Sequence, residues 1–209
     1  MINKIKIIST ADLSRRELLK VTVAGLLTGA VAHLTSRLPS ARAAETGANS
    51  AKVLVVYYSR SGNTREIANH IHVLIGGDIV ELQTVEPYPA EYNAVTKRAK
   101  EEQQSGYKPA LKTKIENIGS YDVIFVGSPN WWNTISPPVR TFLSEYDLSG
   151  KTLAPFITHE GSGLGRGVQD IAALCPNAKI LDGLAVRGGS VKIAHNDVSG
   201  WLRKLGMLQ

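Results

Sequence analysis

Residues 52–58, KVLVVYY, form a short and nearly unbroken apolar run rich in valine. A strand of that kind is covered on both faces, which antiparallel sheets with one wet side do not require. The chain then passes through Ser59-Arg60-Ser61-Gly62-Asn63-Thr64 into helical spacing, with Ile67, Ala68, Ile71 and Leu74 on one face. Strand, tight turn and helix make an opening unit that needs helices on both sides of a parallel sheet.

The rest of the chain continues the alternation. Further strands are expected at 79–82, 121–127, 152–158 and around 179–186, and helices at 90–104, 137–146, about 165–174 and 195–205. Pro155, inside the fourth strand, predicts a bulge or limited pairing there. The pattern contains no internal repeat and no heptad array.

The first 43 residues are set apart from this pattern. Arg15-Arg16 precedes the uncharged run 21–34, and Ala41-Arg42-Ala43 follows as a small-x-small cleavage pattern. This resembles a twin-arginine signal peptide, and the 14-residue run, broken by Gly25, Thr28 and Gly29, is short of the about 20 residues of a spanning helix. The expectation is cleavage near Ala43, no stable membrane anchor after it, a short linker over 44–51, and a single domain over 52–209 in the periplasm or outside the cell.

The whole chain carries 24 Lys/Arg against 18 Asp/Glu, a net of +6. Seven of those basic residues and two of the acidic ones fall within residues 1–43, leaving 17 against 16. The basic excess therefore belongs to the leader, and a nucleic-acid partner, which would need a basic face on the folded part, is not expected. Cys175 is the one cysteine and is expected to pack as a buried apolar residue, although export would leave pairing between chains open. His70, His72 and His195 lie on expected helices without ligand-like spacing, so no metal site is expected.

The turn at 59–64 offers three hydroxyls, a glycine, and the first free N–H groups of the helix after it. Those N–H groups and the helix dipole favour an anion. Neither G-x-x-x-x-G-K-[ST] nor G-x-G-x-x-G is present, which points to a phosphate monoester rather than a nucleoside triphosphate or dinucleotide. Ordinary capping of the helix by Ser, Thr or Asn is the alternative.

Two more loops follow strand ends and gather at the same sheet edge: Gly127-Ser128-Pro129-Asn130-Trp131-Trp132-Asn133 and Thr158-His159-Glu160-Gly161-Ser162-Gly163-Leu164-Gly165. Ligands of open α/β sheets bind at that edge. Of the two tryptophans, one can cover the core while the other faces a flat aromatic ligand. Gly161, Gly163, Gly165 and Gly167 allow close backbone approach to a planar ring, while His159 and Glu160 either touch its polar edge or stay solvated.

The hydroxyl turn, the Pro129 to Trp132 loop and the HEGSGLG segment together resemble the flavodoxin-like family over nearly all of residues 52–206. The likeness extends to Pro87-Tyr88-Pro89-Ala90-Glu91-Tyr92 and the charged stretch after it, which is similar to a bacterial flavodoxin subgroup. The resemblance implies a three-layer αβα sandwich with a five-stranded parallel sheet in the order 2-1-3-4-5, and FMN as cofactor. It implies that Ser59, Ser61, Gly62, Asn63 and Thr64 hold the phosphate, with the backbone of Arg60. It also implies that residues 129–133 line one side of the ring, with Trp131 or Trp132 stacked, and residues 158–163 the other.

An FMN oxidoreductase, fed by a nicotinamide or another donor and reducing a small acceptor such as a quinone, is the leading expectation. The segment 87–109 supplies either a lid over the ring or a helix packed on the sheet. A one-electron carrier docking with redox protein partners is the alternative, and a flavin-free binding module a third. Electron-carrier flavodoxins are typically acidic around the flavin, whereas this chain places Arg60, Lys97, Arg98, Lys100 and Arg166 in or near the candidate loops. The twin-arginine export machinery, which carries folded proteins with cofactors inserted, is consistent with an exported flavoprotein.

Overall fold

In the computed structural model, residues 51–209 are described, so the expected signal peptide and nearly all of the linker lie outside the described residues. The strands are β1 (Val53–Tyr57), β2 (Asp78–Glu81), β3 (Val123–Trp131), β4 (Thr134–Ile135), β5 (Thr152–His159), β6 (Lys179–Ile180) and β7 (Leu184–Arg187). The helices are α1 (Asn63–Ile75), α2 (Tyr92–Ser105), α3 (Pro137–Glu145), α4 (Gly167–Leu174) and α5 (His195–Lys204). Each coincides with an expected element to within a few residues, apart from β3, which runs four residues past its expected end, and the added β4.

The sheet order is β2-β1-β3-β5-β6, with β7 also beside β5 and β4 beside β3. Strand period 2 sends alternate residues to opposite faces. Leu54, Val56, Ile124, Val126, Leu153 and Ile157 pack in one core with Val139 and Phe142 of α3 and Ile171 of α4. Val55, Tyr57, Phe125, Ala154 and Phe156 pack in the other with Ile67 and Ile71 of α1 and Val198 and Leu202 of α5. Both faces are thus covered, which is why the valine-rich strands carry no polar alternation.

Two corrections apply to the expected five parallel strands; seven strand segments are present. The fifth strand is divided: β6 pairs with Thr152 and Leu153 of β5, and β7 with Phe156 to His159. The gap falls beside Pro155, which has no N–H to offer a neighbour, while its pairing with Val126 on the β3 side is in unbroken register. The proline therefore limits pairing on one side and makes no bulge.

The second correction is β4, which is antiparallel to β3. Trp131 pairs with Thr134 across a two-residue turn whose central residues, Trp132 and Asn133, have φ of 52° and 68°. Two positive φ values are the signature of a tight hairpin turn that matches strand twist, and Asn-Gly is its usual sequence. A tryptophan there is strained, and two bonds hold it: Trp132 Nε1 donates to Thr96 O at 2.9 Å and Arg166 N donates to Asn133 O at 2.8 Å.

Candidate functional site

The turn after β1 brings the chain into α1 through Gly62, which stands at the N-cap with φ 92° and supplies no capping side chain. The first-turn N–H groups of α1 consequently have no acceptor within the helix. Ser59 Oγ accepts from Arg65 N at 3.3 Å, while Ser61 is exposed. Capping thus engages one hydroxyl of the turn and leaves Ser61 facing outward.

Thr64 is differently placed from its neighbours. Its Oγ1 lies 2.8 Å from Thr158 Oγ1, and both residues are buried. The pair ties the hydroxyl turn to the end of β5, so Thr64, expected to hold the phosphate, also braces the turn.

A cavity of about 510 Å³ opens at the C-terminal edge of the sheet, where the three expected loops meet. Of the expected residues, Arg60, Ser61 and Asn63 line it from the hydroxyl turn, and Pro129, Asn130 and Trp131 from the end of β3. Thr158, His159, Glu160, Gly161 and Ser162 line it from the third loop. A second hollow of about 370 Å³ adjoins it, sharing Arg60, Tyr92, Asn130 and Trp131.

The two tryptophans separate. Trp131 is partly buried, edge-on to Tyr58 at 5.6 Å and to Tyr88 at 5.1 Å, and lines both hollows. Gln103 Nε2 of α2 donates to its carbonyl at 2.8 Å. Trp132 is half exposed, faces α2 and lines only the second hollow, with Lys100 Nζ 4.8 Å from its ring centre.

The glycines also divide by role. At Gly163, with φ 59°, an added Cβ would meet nothing within 4 Å, and the same open space surrounds Gly161. At Gly165 it would lie 2.5 Å from Asn133 O, and at Gly167 2.3 Å from Ile157 Cδ1. Gly165 and Gly167 thus serve close packing of the protein on itself, not approach to a ring. Gly163 O accepts from Asn130 Nδ2 at 3.0 Å, joining the second and third loops.

His159 Nδ1 accepts from Gly161 N at 3.0 Å, which shapes the third loop. Among the cations expected nearby, Arg60 is the one that lines the cavity: its Nη2 donates to Ala90 O at 2.7 Å. Arg98 turns instead to Glu102, which is buried and also accepts from the Tyr88 hydroxyl. Lys97 faces Glu101 and Arg166 faces Asp170.

Burial pushes the Tyr58 hydroxyl up to about 12, and burial with the Glu102 bond raises Tyr88 well above the ordinary phenol range. The aromatic cluster behind Trp131 is therefore neutral at physiological pH. Segment 87–109 forms α2 packed beside the site, with Val95 and Ala99 buried, rather than a detached lid.

Tyr92, within the segment expected to lie over the ring, stands at the start of α2 and lines both hollows. One residue at the site escaped the sequence reading. Gly188, after β7, stands so close that an added Cβ would be 2.1 Å from Glu160 Oε1 and 2.5 Å from Asn63 Nδ2. A glycine following a strand was the available signal. Among the described residues no group of three or more His, Cys, Asp or Glu could hold a metal, and no helix is long and apolar enough to cross a membrane.

The arrangement can hold an anion at the start of α1 and a flat ring against Trp131, with polar groups of the third loop at its edge. Comparison with known proteins places the chain among flavoproteins. A candidate flavoprotein from Bacteroides eggerthii DSM 20697 is 30% identical, with a TM-score of 0.67, over 75% of this chain and 98% of its own. One from Bacteroides uniformis ATCC 8492 is 28% identical, with a TM-score of 0.66, over 73% and 98%. A flavoprotein from Lactobacillus acidophilus NCFM, crystallised in complex with FMN, is 26% identical, with a TM-score of 0.58, over 67% and 95%. No curated protein sequence matches the chain significantly. The sequence model of a family described as flavodoxin matches residues 52–205, and the chain belongs to that flavodoxin family.

Proposed function

We propose that this protein is an exported oxidoreductase that passes electrons through noncovalently bound FMN to a small acceptor such as a quinone. The observation that carries the reading is the convergence of Ser61 and Asn63, Pro129 to Trp131, and Thr158 to Ser162 on one cavity. FMN is the cofactor, and the residues present suit it. The N–H groups at the start of α1 that Ser59 does not cap and the Ser61 hydroxyl match a phosphate, and the open space at Gly161 and Gly163 admits a ring that a side chain there would crowd.

When bound, FMN supplies the electron chemistry, and the protein supplies binding, orientation and tuning. The backbone of residues 60–64 with Ser61 and Asn63 would hold the phosphate. Trp131, held by Gln103 and flanked by Tyr58 and Tyr88, offers a fixed indole surface with neutral phenols behind it. Removing water from that side favours the less charged form of any ring held there.

The deciding experiment is an anaerobic visible titration of residues 44–209 loaded with FMN. Direct two-electron bleaching by NADH or NADPH, reversed by a soluble quinone, supports the oxidoreductase. No response to either nicotinamide, with reduction only under a stronger chemical reductant, transfers the protein to the carrier class. Failure to retain FMN would remove both readings.

Export by a twin-arginine route belongs to the same proposal and rests on Arg15-Arg16 and the run after it. Arg15→Lys with Arg16→Lys should leave the precursor uncleaved in the cytoplasm; unchanged processing would discard the route.

A further inference from the structure

We propose that the second hollow is a separate ligand site, built for a planar aromatic compound that carries a carboxylate or sulfonate. This rests on the FMN reading, since the hollow adjoins the cofactor cavity through Trp131 and Asn130. It names the chemical class of the acceptor.

The hollow runs between α2 and the β3–β4 hairpin. Its volume of about 370 Å³ lies within the range typical of small-molecule sites, ~300–1,000 Å³. Val95 and Ala99 form an apolar floor, and Trp131 and Trp132 form aromatic walls on one side. A flat apolar body suits that shape, and offset or edge-on contacts with indole reward it.

Trp132 is held as a wall at a cost. Its backbone is left-handed, with φ 52°, and its Nε1 is fixed by Thr96 O on the opposite side of the groove. Trp132 is also half exposed, so core burial does not account for its strained placement. The same bond spans the hollow's two sides and keeps their spacing.

The polar end of the ligand is set by charge. Arg60 lines the hollow; one guanidinium contact goes to Ala90 O, and a guanidinium has five N–H donors in all. The neighbouring acid, Glu91, is engaged in capping α2, accepting from Asn93 N at 2.8 Å and Ala94 N at 2.6 Å. Lys100 Nζ, 4.8 Å from the centre of the Trp132 ring, adds a second positive charge outside the lining. An acidic group on the ligand would meet a fork-shaped cation that is already oriented.

The test is calorimetric titration of FMN-loaded protein with anthraquinone-2-sulfonate, and with the uncharged 2-(hydroxymethyl)anthraquinone. FMN retention is measured first, so that failure of the cofactor reading shows separately. The sulfonate should bind without displacing FMN, and roughly tenfold more tightly than the uncharged compound. Arg60→Gln should erase that preference. Thr96→Phe, which fills the hollow from a position outside the cofactor cavity, should weaken the sulfonate at least roughly tenfold at unchanged FMN affinity. No binding, equal binding of both compounds, or release of FMN by the sulfonate would each overturn the proposal, the last because the hollow would then be part of the cofactor's own seat.

Discussion

Thr64 and Thr158, 94 residues apart in the chain, share a 2.8 Å hydroxyl–hydroxyl bond with both side chains buried. The bond fixes the hydroxyl turn against the end of β5. It sets the buried Thr64 apart from the exposed Ser61 of the same turn. Thr64→Val or Thr158→Val alone should cost about 1–3 kcal/mol in urea unfolding, because each strands a buried hydroxyl. The double variant should cost less than the sum of the two. Ser61→Ala should leave stability unchanged and lower FMN affinity by roughly tenfold or more, since a charge-assisted bond to phosphate is lost. Equal effects of Thr64 and Ser61 on both quantities would refute the separation.

Glu102 is the buried acid behind the aromatic cluster, bound by Arg98 Nε at 2.8 Å and by the Tyr88 hydroxyl. Arg98 also lies 4.5 Å from the centre of the Tyr88 ring. Glu102→Ala would strand the Tyr88 hydroxyl and leave Arg98 with Pro87 O and Glu86 alone, and should destabilise the fold by about 3 kcal/mol. Tyr88→Phe, which removes one partner but keeps the ring against Trp131, should cost less. Chemical denaturation of the two variants decides; a Tyr88→Phe loss equal to that of Glu102→Ala would contradict the account.

Two glycines are spaces that the fold fills with its own atoms. At Gly127 an added Cβ would be 2.2 Å from Phe156 Cζ, in the middle of the sheet, and at Gly165 it would strike the Asn133 carbonyl. Gly127→Ala should therefore cost about 1–3 kcal/mol by overpacking. Gly165→Ala adds backbone strain at φ 53° and should loosen the Trp132 hairpin. Gly200→Ala, in α5 with nothing near its Cβ, is the control and should be neutral or stabilising. Thermal melts that rank the three otherwise would count against this packing.

Alkaline pH offers a test of the buried phenols. Tyr58 is held at about 12 by burial, and Tyr121 at about 12, chiefly by its bond to Asp78 and then by burial. The unfolded chain loses these protons near pH 10, so the folded state binds more protons between about pH 10 and 12. Their contribution to stability is present in full below pH 10 and disappears as pH rises through 12. Ultraviolet titration of tyrosinate should show these groups ionising late, and Tyr121→Phe should flatten the alkaline fall. A fall complete before pH 10 would show that another group controls it.

Local pattern alone determined much of this protein. Apolar runs such as KVLVVYY, alternating with helical spacing, reveal an α/β sheet covered on both faces, because burial on two sides is written into each strand's own residues. The meeting of three loops at one edge then follows from the parallel alternation, whereas the order of strands was implied by the family resemblance and is decided by tertiary pairing. Tertiary structure decided the rest. Trp131 and Trp132 are adjacent and chemically identical, and only the hairpin held by Thr96 O and Arg166 N sends one to the cavity where the three loops meet and the other toward α2. Gly161 and Gly165 look alike in sequence, and only the Asn133 carbonyl beside Gly165 shows which space is already taken. The split of the last strand beside Pro155, and the arrival of Tyr92 and Gly188 at the site, depend likewise on distant neighbours. Periodicity is a property of a segment, whereas a contact belongs to two segments at once, and the fold alone chooses the second.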